Sequence, residues 1–155
     1  MGIEIERKFL VKNDDWKRQI QRSEQFRQGY LTNEKHLSVR VRLTDNGARL
    51  TIKGATNGLS RTEYEYPIPK DDAEHLLNEL CTPPLIEKTR HWLQYGAHTW
   101  EVDVFEGDNQ GLVVAEVELE DTDEQIDLPD WLGEDVSDDP RYLNASLVRH
   151  PYCQW

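Results

Sequence analysis

Charged side chains recur at alternate positions inside nearly every apolar run of this 155-residue chain. "GIEIERKFLV" sets Glu4, Glu6 and Lys8 between Ile3, Ile5 and Phe9. "LSVRVRL" does the same with Arg40 and Arg42, "RLTIKG" with Lys53, and "SRTEYEYPI" with Arg61, Glu63 and Glu65. "IEKTRHW" contributes Lys88 and Arg90, "TWEVDVF" Glu101 and Asp103, and "VVAEVELE" Glu116 and Glu118. Residues two apart in a strand share a face, so each run carries one apolar and one ionic face. Lysines and arginines gathered on such a face bind an anion. Glutamates beside them hold hard cations such as Mg²⁺, which takes a few carboxylates and completes its shell with substrate oxygens and water. The chemistry this suits is that of a polyanion whose oxygens are shared between basic groups and bridging cations.

The rest of the composition narrows the setting. A formal net charge of -12 and a pI near 4.8 exclude nonspecific binding to nucleic acid or to an anionic membrane, both of which need a basic surface. An anionic ligand must therefore meet a local, sheltered cluster of positive charge. The two cysteines, Cys81 and Cys153, lack a metal-ligand spacing, and the N-terminus has no basic-then-apolar segment, so a reduced, cytoplasmic protein is expected. No apolar run approaches the ~18 residues of a membrane span, and no repeat or GxxxxGK[ST] phosphate loop is present. His36, His75, His91, His98 and His150 are scattered without metal-ligand spacing and are assigned to surface or packing.

The period-two pattern predicts strands at about 2–11, 23–32, 37–44, 47–53, 60–68, 85–94, 98–106 and 112–120. "DNG" at 45–47 reads as a hairpin turn, and "GATNG" at 54–58, "YGAH" at 95–98 and "EGDNQG" at 106–111 read as loops. Short linkers make neighbouring strands antiparallel. Helices are expected at about 13–20, capped by Asn13 or Asp14; at about 70–80, with Ala73, Leu76, Leu77 and Leu80 apolar; and at about 140–147. The acidic tail from 121 to 139 is expected to be ordered where Leu128, Trp131 and Leu132 dock. The five tryptophans are assigned to core and tail packing. Trp100 points away from the ionic face by parity, and Trp92 joins it only if its strand ends or bulges there.

A single strand of this kind packs its apolar face on a helix and leaves its charges in water. The whole set does not fit that arrangement. Like charges cluster on single strands, and two or three short helices cannot cover eight apolar faces unless the sheet curls and turns those faces outward. An α+β fold follows: an eight-stranded antiparallel β-barrel forming a tunnel, with a few flanking helices. Such a barrel encloses room for side chains or one small ligand. Charges lining it must be paired, hydrated or ligand-bound, because each left alone costs several kcal/mol.

The ordered set from Glu4-x-Glu6-x-Lys8 to Glu116-x-Glu118 resembles the CYTH domain, or triphosphate tunnel metalloenzyme, superfamily. "GYL", "EYEYPI", "LIEKTR", "WEVDVFEG" and "DPRYLNASLVRHPY" resemble its small bacterial single-domain members. The resemblance implies one CYTH domain over 1–155, with the tail of about 121–155 packing on the barrel. It implies metal-dependent chemistry, with Mg²⁺ or Mn²⁺, on a small-molecule triphosphate. The family's activities include inorganic triphosphatase, thiamine triphosphatase, RNA triphosphatase and class IV adenylate cyclase. Carried onto this chain, Lys8, Arg40, Arg42, Lys53, Lys88 and Arg90 contact the triphosphate, and Glu4, Glu6, Glu116 and Glu118 hold metal. Glu63, Glu65, Glu101 and Asp103 are further ligands, water holders or partners of the basic groups. The catalytic set is Glu4, Glu6, Lys8 and Arg90, with Glu4 or Glu6 orienting the attacking water and Lys8 or Arg90 near the terminal phosphate. The function expected is hydrolysis of the terminal phosphoanhydride of inorganic triphosphate, with nucleoside triphosphates as poorer substrates. Class IV adenylate cyclase, thiamine triphosphatase and a noncatalytic triphosphate- or polyphosphate-binding module are the alternatives. The enzyme is expected to be a monomer or homodimer. The C-terminal "DPRYLNASLV" resembles a family helix that can cover one tunnel mouth, or it simply packs on the barrel.

Overall fold

The computed structural model describes residues 2–155. Nine strands form one antiparallel sheet: β1 (Ile3–Val11), β2 (Ile20–Glu34), β3 (Leu37–Thr44), β4 (Gly47–Asn57), β5 (Ser60–Ile68), β6 (Ile86–Tyr95), β7 (His98–Phe105), β8 (Val113–Glu118) and β9 (Leu132–Asp135). Their order is β5-β4-β3-β2-β6-β7-β8-β1-β9, and a further pairing of β1 with β5 closes the first eight into a barrel. Strand β1 makes the seam. One edge pairs β8 over Glu6–Leu10, and the other pairs β5 over Ile3–Ile5 and then β9 from Phe9 to Val11.

The eight predicted strands are all present, and most of the differences lie at their ends. In a closed barrel each strand pairs two neighbours that are staggered along it. β2 meets β6 over Ile20–Gln28 and β3 over Arg27–Glu34, so it runs well past the predicted 23–32 at both ends. β4 likewise continues to Asn57 through the segment read as a loop, with a register shift between Lys53 and Thr56. β9, drawn from the acidic tail, was not predicted. Of the helices, 13–20 is a 3₁₀ turn over Asp15–Gln19, started by the Asp15 N–H donating to Asn13 Oδ1 at 2.9 Å. The 70–80 segment is α1 (Lys70–His75) followed by a π turn over Leu76–Leu80, and its last residue, Leu80, is 65% exposed. The third is a 3₁₀ turn at Pro140–Tyr142 and then α2 (Asn144–Arg149). Among the described residues no helix is long and apolar enough to cross a membrane.

Apolar side chains lie mostly outside the barrel wall. Phe9, Trp100, Val102, Ala115 and Val117 are covered by Trp16 from the 3₁₀ turn, by Leu119 just after β8 and by Trp131 and Leu132 from the tail. Leu128, the third expected anchor of the tail, stays 49% exposed. Val41, Leu43 and Ala48 are covered by Ala73 and Leu77 of α1 and its π turn. A third cluster sits inside one end of the barrel, where Tyr30, Ile86, Phe105 and Val114 pack against Tyr142, Leu147 and Val148.

Trp100 is fully buried between the rings of Phe9, at 5.8 Å, and Trp131, at 5.9 Å. Trp100→Ala should lower the unfolding free energy by about 3–5 kcal/mol in chemical denaturation. Trp100→Phe should cost less, because it keeps a ring and removes an indole N–H that has no partner among the described residues.

Candidate functional site

The parity that puts Phe9, Trp100 and Val117 outside puts the alternating ions inside. They line a cavity of about 220 Å³, to which every candidate side chain contributes except Asp103. Asp103 lies one layer back, buried behind the two cations it holds.

Those cations are Arg90 and Lys88. Arg90 donates to both Asp103 oxygens, from Nε at 2.7 Å and from Nη2 at 2.9 Å, and Lys88 Nζ reaches Asp103 Oδ2 at 2.7 Å. The register accounts for the first contact, since Arg90 faces Asp103 directly across β6 and β7. Arg90 Nη1 also donates to Glu101 Oε2 at 3.2 Å, and Trp92 Nε1 donates to the same oxygen at 3.0 Å. Arg42 Nε donates to Gln28 Oε1 at 2.9 Å, with its guanidinium 4.5 Å from the centre of the Phe26 ring. Arg90 lies over the same ring at 5.0 Å.

The carboxylates concentrate on β1, β8 and β5. Lys53 Nζ bridges Glu4, at 3.0 and 3.1 Å, and Glu63, at 3.3 Å, while Lys8 Nζ lies 3.7 Å from Glu6. Glu6 stands opposite Glu118 and Glu116 opposite Glu101, so like charges face each other across strands, an arrangement that destabilises a sheet. Arg40 donates to Thr51 Oγ1 at 3.4 Å, and Thr51 donates to Glu65 Oε2 at 3.1 Å. The buried Arg40 Nε has no partner among the described residues.

The two ends of the cavity differ. One opens into a vestibule of about 480 Å³ lined by Arg22, Phe26, Arg49 and Trp92 among others. Trp92 therefore does not turn away from the ionic face. Its strand continues to Tyr95, so it keeps the parity of Arg90 and stands at the mouth with the Arg22 guanidinium 3.7 Å from its ring centre. The other end narrows at Leu143, Asn144 and Ala145 at the start of α2, leaving a space of about 30 Å³ beside Glu6, Lys8 and Arg40 and another of about 30 Å³ beside Glu4, Leu59 and Arg61.

The CYTH domain model matches residues 2–152. This chain belongs to the CYTH family. It is 49% identical over 152 residues to an inorganic triphosphatase of Acetivibrio thermocellus, covering 98% of this chain and 97% of that one. It is 37% identical to an inorganic triphosphatase of Nitrosomonas europaea, covering 94% and 96%. A crystal structure of an inorganic triphosphatase superposes with a TM-score of 0.66 at 32% identity, covering 94% of this chain and 93% of that one.

In this CYTH tunnel the charges are unevenly matched. Burial pulls Lys88 down to about 7, with Arg90 and Arg42 adding to the effect and Asp103 resisting it. Burial also works against the Asp103 carboxylate, but Arg90 and Lys88 override it and hold the group well below its ordinary range. The two shifts agree because one aspartate answers several cations. Burial, with Arg40 and Arg90 adding to it, lowers Arg42 to about 9. The carboxylate side mirrors this. Burial and then Glu116 raise Glu6 well above the usual range, while Glu116, despite its burial, is held well below it by Glu6, Lys8, Arg90 and Lys88. Burial and the hydrogen-bonded Glu4 raise Glu63 to about 7, whereas at Glu4 burial is overcome by the charge of Lys53 together with the hydrogen bonds to Glu63 and Lys53, and the group lies below its ordinary range.

Burial and the neighbouring carboxylate thus favour the protonated form of one member of each of two pairs, Glu6 beside Glu116 and Glu63 beside Glu4. A donor set of this kind fits a hard divalent cation, whose charge would relieve the repulsion between the paired carboxylates. Among the described residues no group of three His, Cys, Asp or Glu forms a ready-made cage. Mg²⁺ needs none, because one or two carboxylates, water and substrate phosphates suffice.

Gln28, Asn144, Arg61 and Trp92 also line the tunnel or its ends, or hold the groups that do, and were not singled out from the sequence as site residues. Gln28 shares parity with Phe26 and Tyr30, and Arg61 with Glu63 and Glu65, so both were open to the same rule. Asn144 lies outside the strands and carries no such signal.

An anion in the tunnel should recharge Lys88. Between pH 7 and its ordinary value near 10.5, triphosphate binding in chelator should take up a proton at Lys88, so that affinity falls as pH rises above about 7. Calorimetry at pH 8 in buffers of different ionisation enthalpy measures the uptake. It should shrink in Lys88→Met, and equal uptake in both proteins would contradict the assignment.

Proposed function

We propose that this chain is a divalent-metal-dependent inorganic triphosphatase that hydrolyses the terminal phosphoanhydride of triphosphate, with nucleoside triphosphates as poorer substrates. The observation that carries the reading is the cavity of about 220 Å³ whose lining is almost wholly ionic. That volume lies below the ~300–1,000 Å³ typical of pockets for drug-sized ligands, so the tunnel suits a small polyanion better than a whole nucleotide. The two curated inorganic triphosphatases at 49% and 37% identity support the same substrate. Cyclase chemistry has no comparable support, since neighbours described as putative adenylate cyclases are 18–19% identical and share only the fold.

Glu4, Glu6, Glu116 and Glu118 would hold the cation, Mg²⁺ or Mn²⁺. When bound, it neutralises charge on the phosphoryl oxygens and lowers the pKa of water. Lys8, Arg40, Arg42, Lys53, Lys88 and Arg90 bind the phosphate oxygens. Arg90 is fixed beforehand by Asp103 and Glu101, so little reorganisation accompanies charge development. Water attacks phosphorus and the bond to the bridging oxygen breaks. Glu4, whose ionised form Lys53 and the hydrogen bond to Glu63 favour, suits the task of orienting that water better than Glu6, whose carboxyl burial and Glu116 push toward the protonated form. Glu63 and Glu65 hold Lys53 and Thr51 in place. Residues 1–155 act as one CYTH domain, with the tail of about 121–155 packed on the barrel. Cys81 and Cys153 are both free thiols, which supports a cytoplasmic setting.

Phosphate release from inorganic triphosphate, ATP and thiamine triphosphate, each with Mg²⁺, Mn²⁺ or chelator, tests the reading. Triphosphate should be turned over fastest and only with metal, and cyclic AMP in the ATP reactions would replace the hydrolase by a cyclase. Glu4→Gln and Glu116→Gln should each lower kcat on the order of 10²-fold or more with the melting temperature kept. Arg42→Ala should chiefly raise KM, by roughly tenfold or more, the worth of one charge-assisted hydrogen bond.

A further inference from the structure

Asn144, the first residue of α2, sits where the tunnel ends. Its Oδ1 accepts from Lys88 Nζ at 2.9 Å and from Gln28 Nε2 at 2.9 Å. The orientation of both amides follows from their partners. Arg42 carries only donors, so Gln28 must turn its oxygen to Arg42 Nε and its NH₂ to Asn144. Asn144 must then offer its oxygen to Gln28 and Lys88. Its own NH₂ is left with no partner among the described residues, while the side chain lines the cavity. Behind this floor, Leu147 and Val148 pack on Ile86 and Val114, so it rests on apolar core. The opposite end is open to the vestibule of about 480 Å³, lined by Arg22 and Arg49, which pair with Glu24 at 3.4 Å and Glu65 at 3.6 Å. Glu6 and Lys8 share the narrow end with Asn144.

We infer that Asn144 is the end stop of a tunnel that narrows beside it to a space of about 30 Å³, and that it sets the register of a linear polyphosphate. The chain enters from the vestibule, and its leading phosphate stops at the floor, where the free Asn144 NH₂ donates to it. That phosphate is thereby the one brought beside Glu6 and Lys8, and phosphates beyond the third trail into the vestibule. Cleavage is therefore terminal whatever the chain length. Tetraphosphate and water give triphosphate and orthophosphate, with the attacking oxygen retained in one product and its proton released. Cleavage of the middle anhydride would instead give two pyrophosphates. The turnover part of this inference rests on the hydrolase reading above, and the binding part rests on geometry alone.

The test follows the first products of tetraphosphate by phosphorus NMR and the binding of triphosphate by calorimetry in chelator, for the wild type, Asn144→Gly and Asn144→Asp. Wild type should form triphosphate and orthophosphate in equal amounts at the outset. Asn144→Gly lets the chain advance, and its initial ratio of pyrophosphate to triphosphate should rise about tenfold, a change of ~1.4 kcal/mol between the two registers. A structural defect would slow both routes alike, so an unchanged ratio overturns the register role. Asn144→Asp keeps the size and the bonds to Lys88 and Gln28 but presents an anion to the substrate, and should weaken triphosphate binding about tenfold or more. Unchanged binding overturns the donor role. A wild type that binds triphosphate but hydrolyses neither substrate overturns the hydrolase reading, and the calorimetric comparison still decides whether Asn144 meets the phosphate.

Discussion

Asp103, answering both Arg90 and Lys88 from within a closed barrel, is the contact on which the tunnel depends. Lys88 is sealed from solvent, with a relative exposure of 0%, and Arg90 and Arg42 stand near it. Unpaired ions in such a place cost several kcal/mol each, so the cations can share the space only because an aspartate sits among them. One aspartate does not neutralise the cluster. Burial first and the neighbouring cations next lower Lys88 to about 7 and Arg42 to about 9, and on the proposed function a polyanion would supply the missing negative charge.

The carboxylate side carries the opposite imbalance. Glu6 faces Glu118, Glu116 faces Glu101, and the repulsion is eased where Glu6 and Glu4 engage Lys8 and Lys53 and where burial and Glu116 push Glu6 toward its protonated form. Neither side is at its most stable alone. On the proposed function, phosphate would answer the cations and a metal the carboxylates, two ligands that also attract each other. Stability comes from elsewhere, chiefly from the clusters around Trp100 and Val41 outside the wall and around Ile86 and Leu147 at the narrow end.

One hydrogen-bonded chain ties the mouth to the floor. From Trp92 it passes to Glu101, Arg90, Asp103, Lys88, Asn144, Gln28 and Arg42. Most of these groups have two polar partners, which fixes rotamers along a surface that would otherwise consist of flexible lysines and arginines. Positioning of this kind lets phosphoryl transfer proceed through placement and charge rather than a protein nucleophile.

Much of this was legible in the residues alone. Alternation places Glu4 with Glu6 and Lys8, and Arg40 with Arg42, on one face of a strand, because side chains in an extended chain repeat every two residues. The shortage of helix to cover so many apolar faces then turns the ions inward. The 54–58 segment, the ends of β2 and the existence of β9 were not legible, because the stagger between neighbours decides how far a strand is paired. Trp92 was misjudged for the same reason, since parity holds for as long as pairing continues, and here it continues to Tyr95. Local sequence thus determined which side chains share a face and that the faces carry ions. The register of the β6–β7 hairpin decided that Asp103 faces Arg90, and only the closed barrel decided that Glu6 meets Glu116 and that Asn144 reaches Lys88 and Gln28, because those last contacts join residues distant along the chain through strand register and the packing of α2.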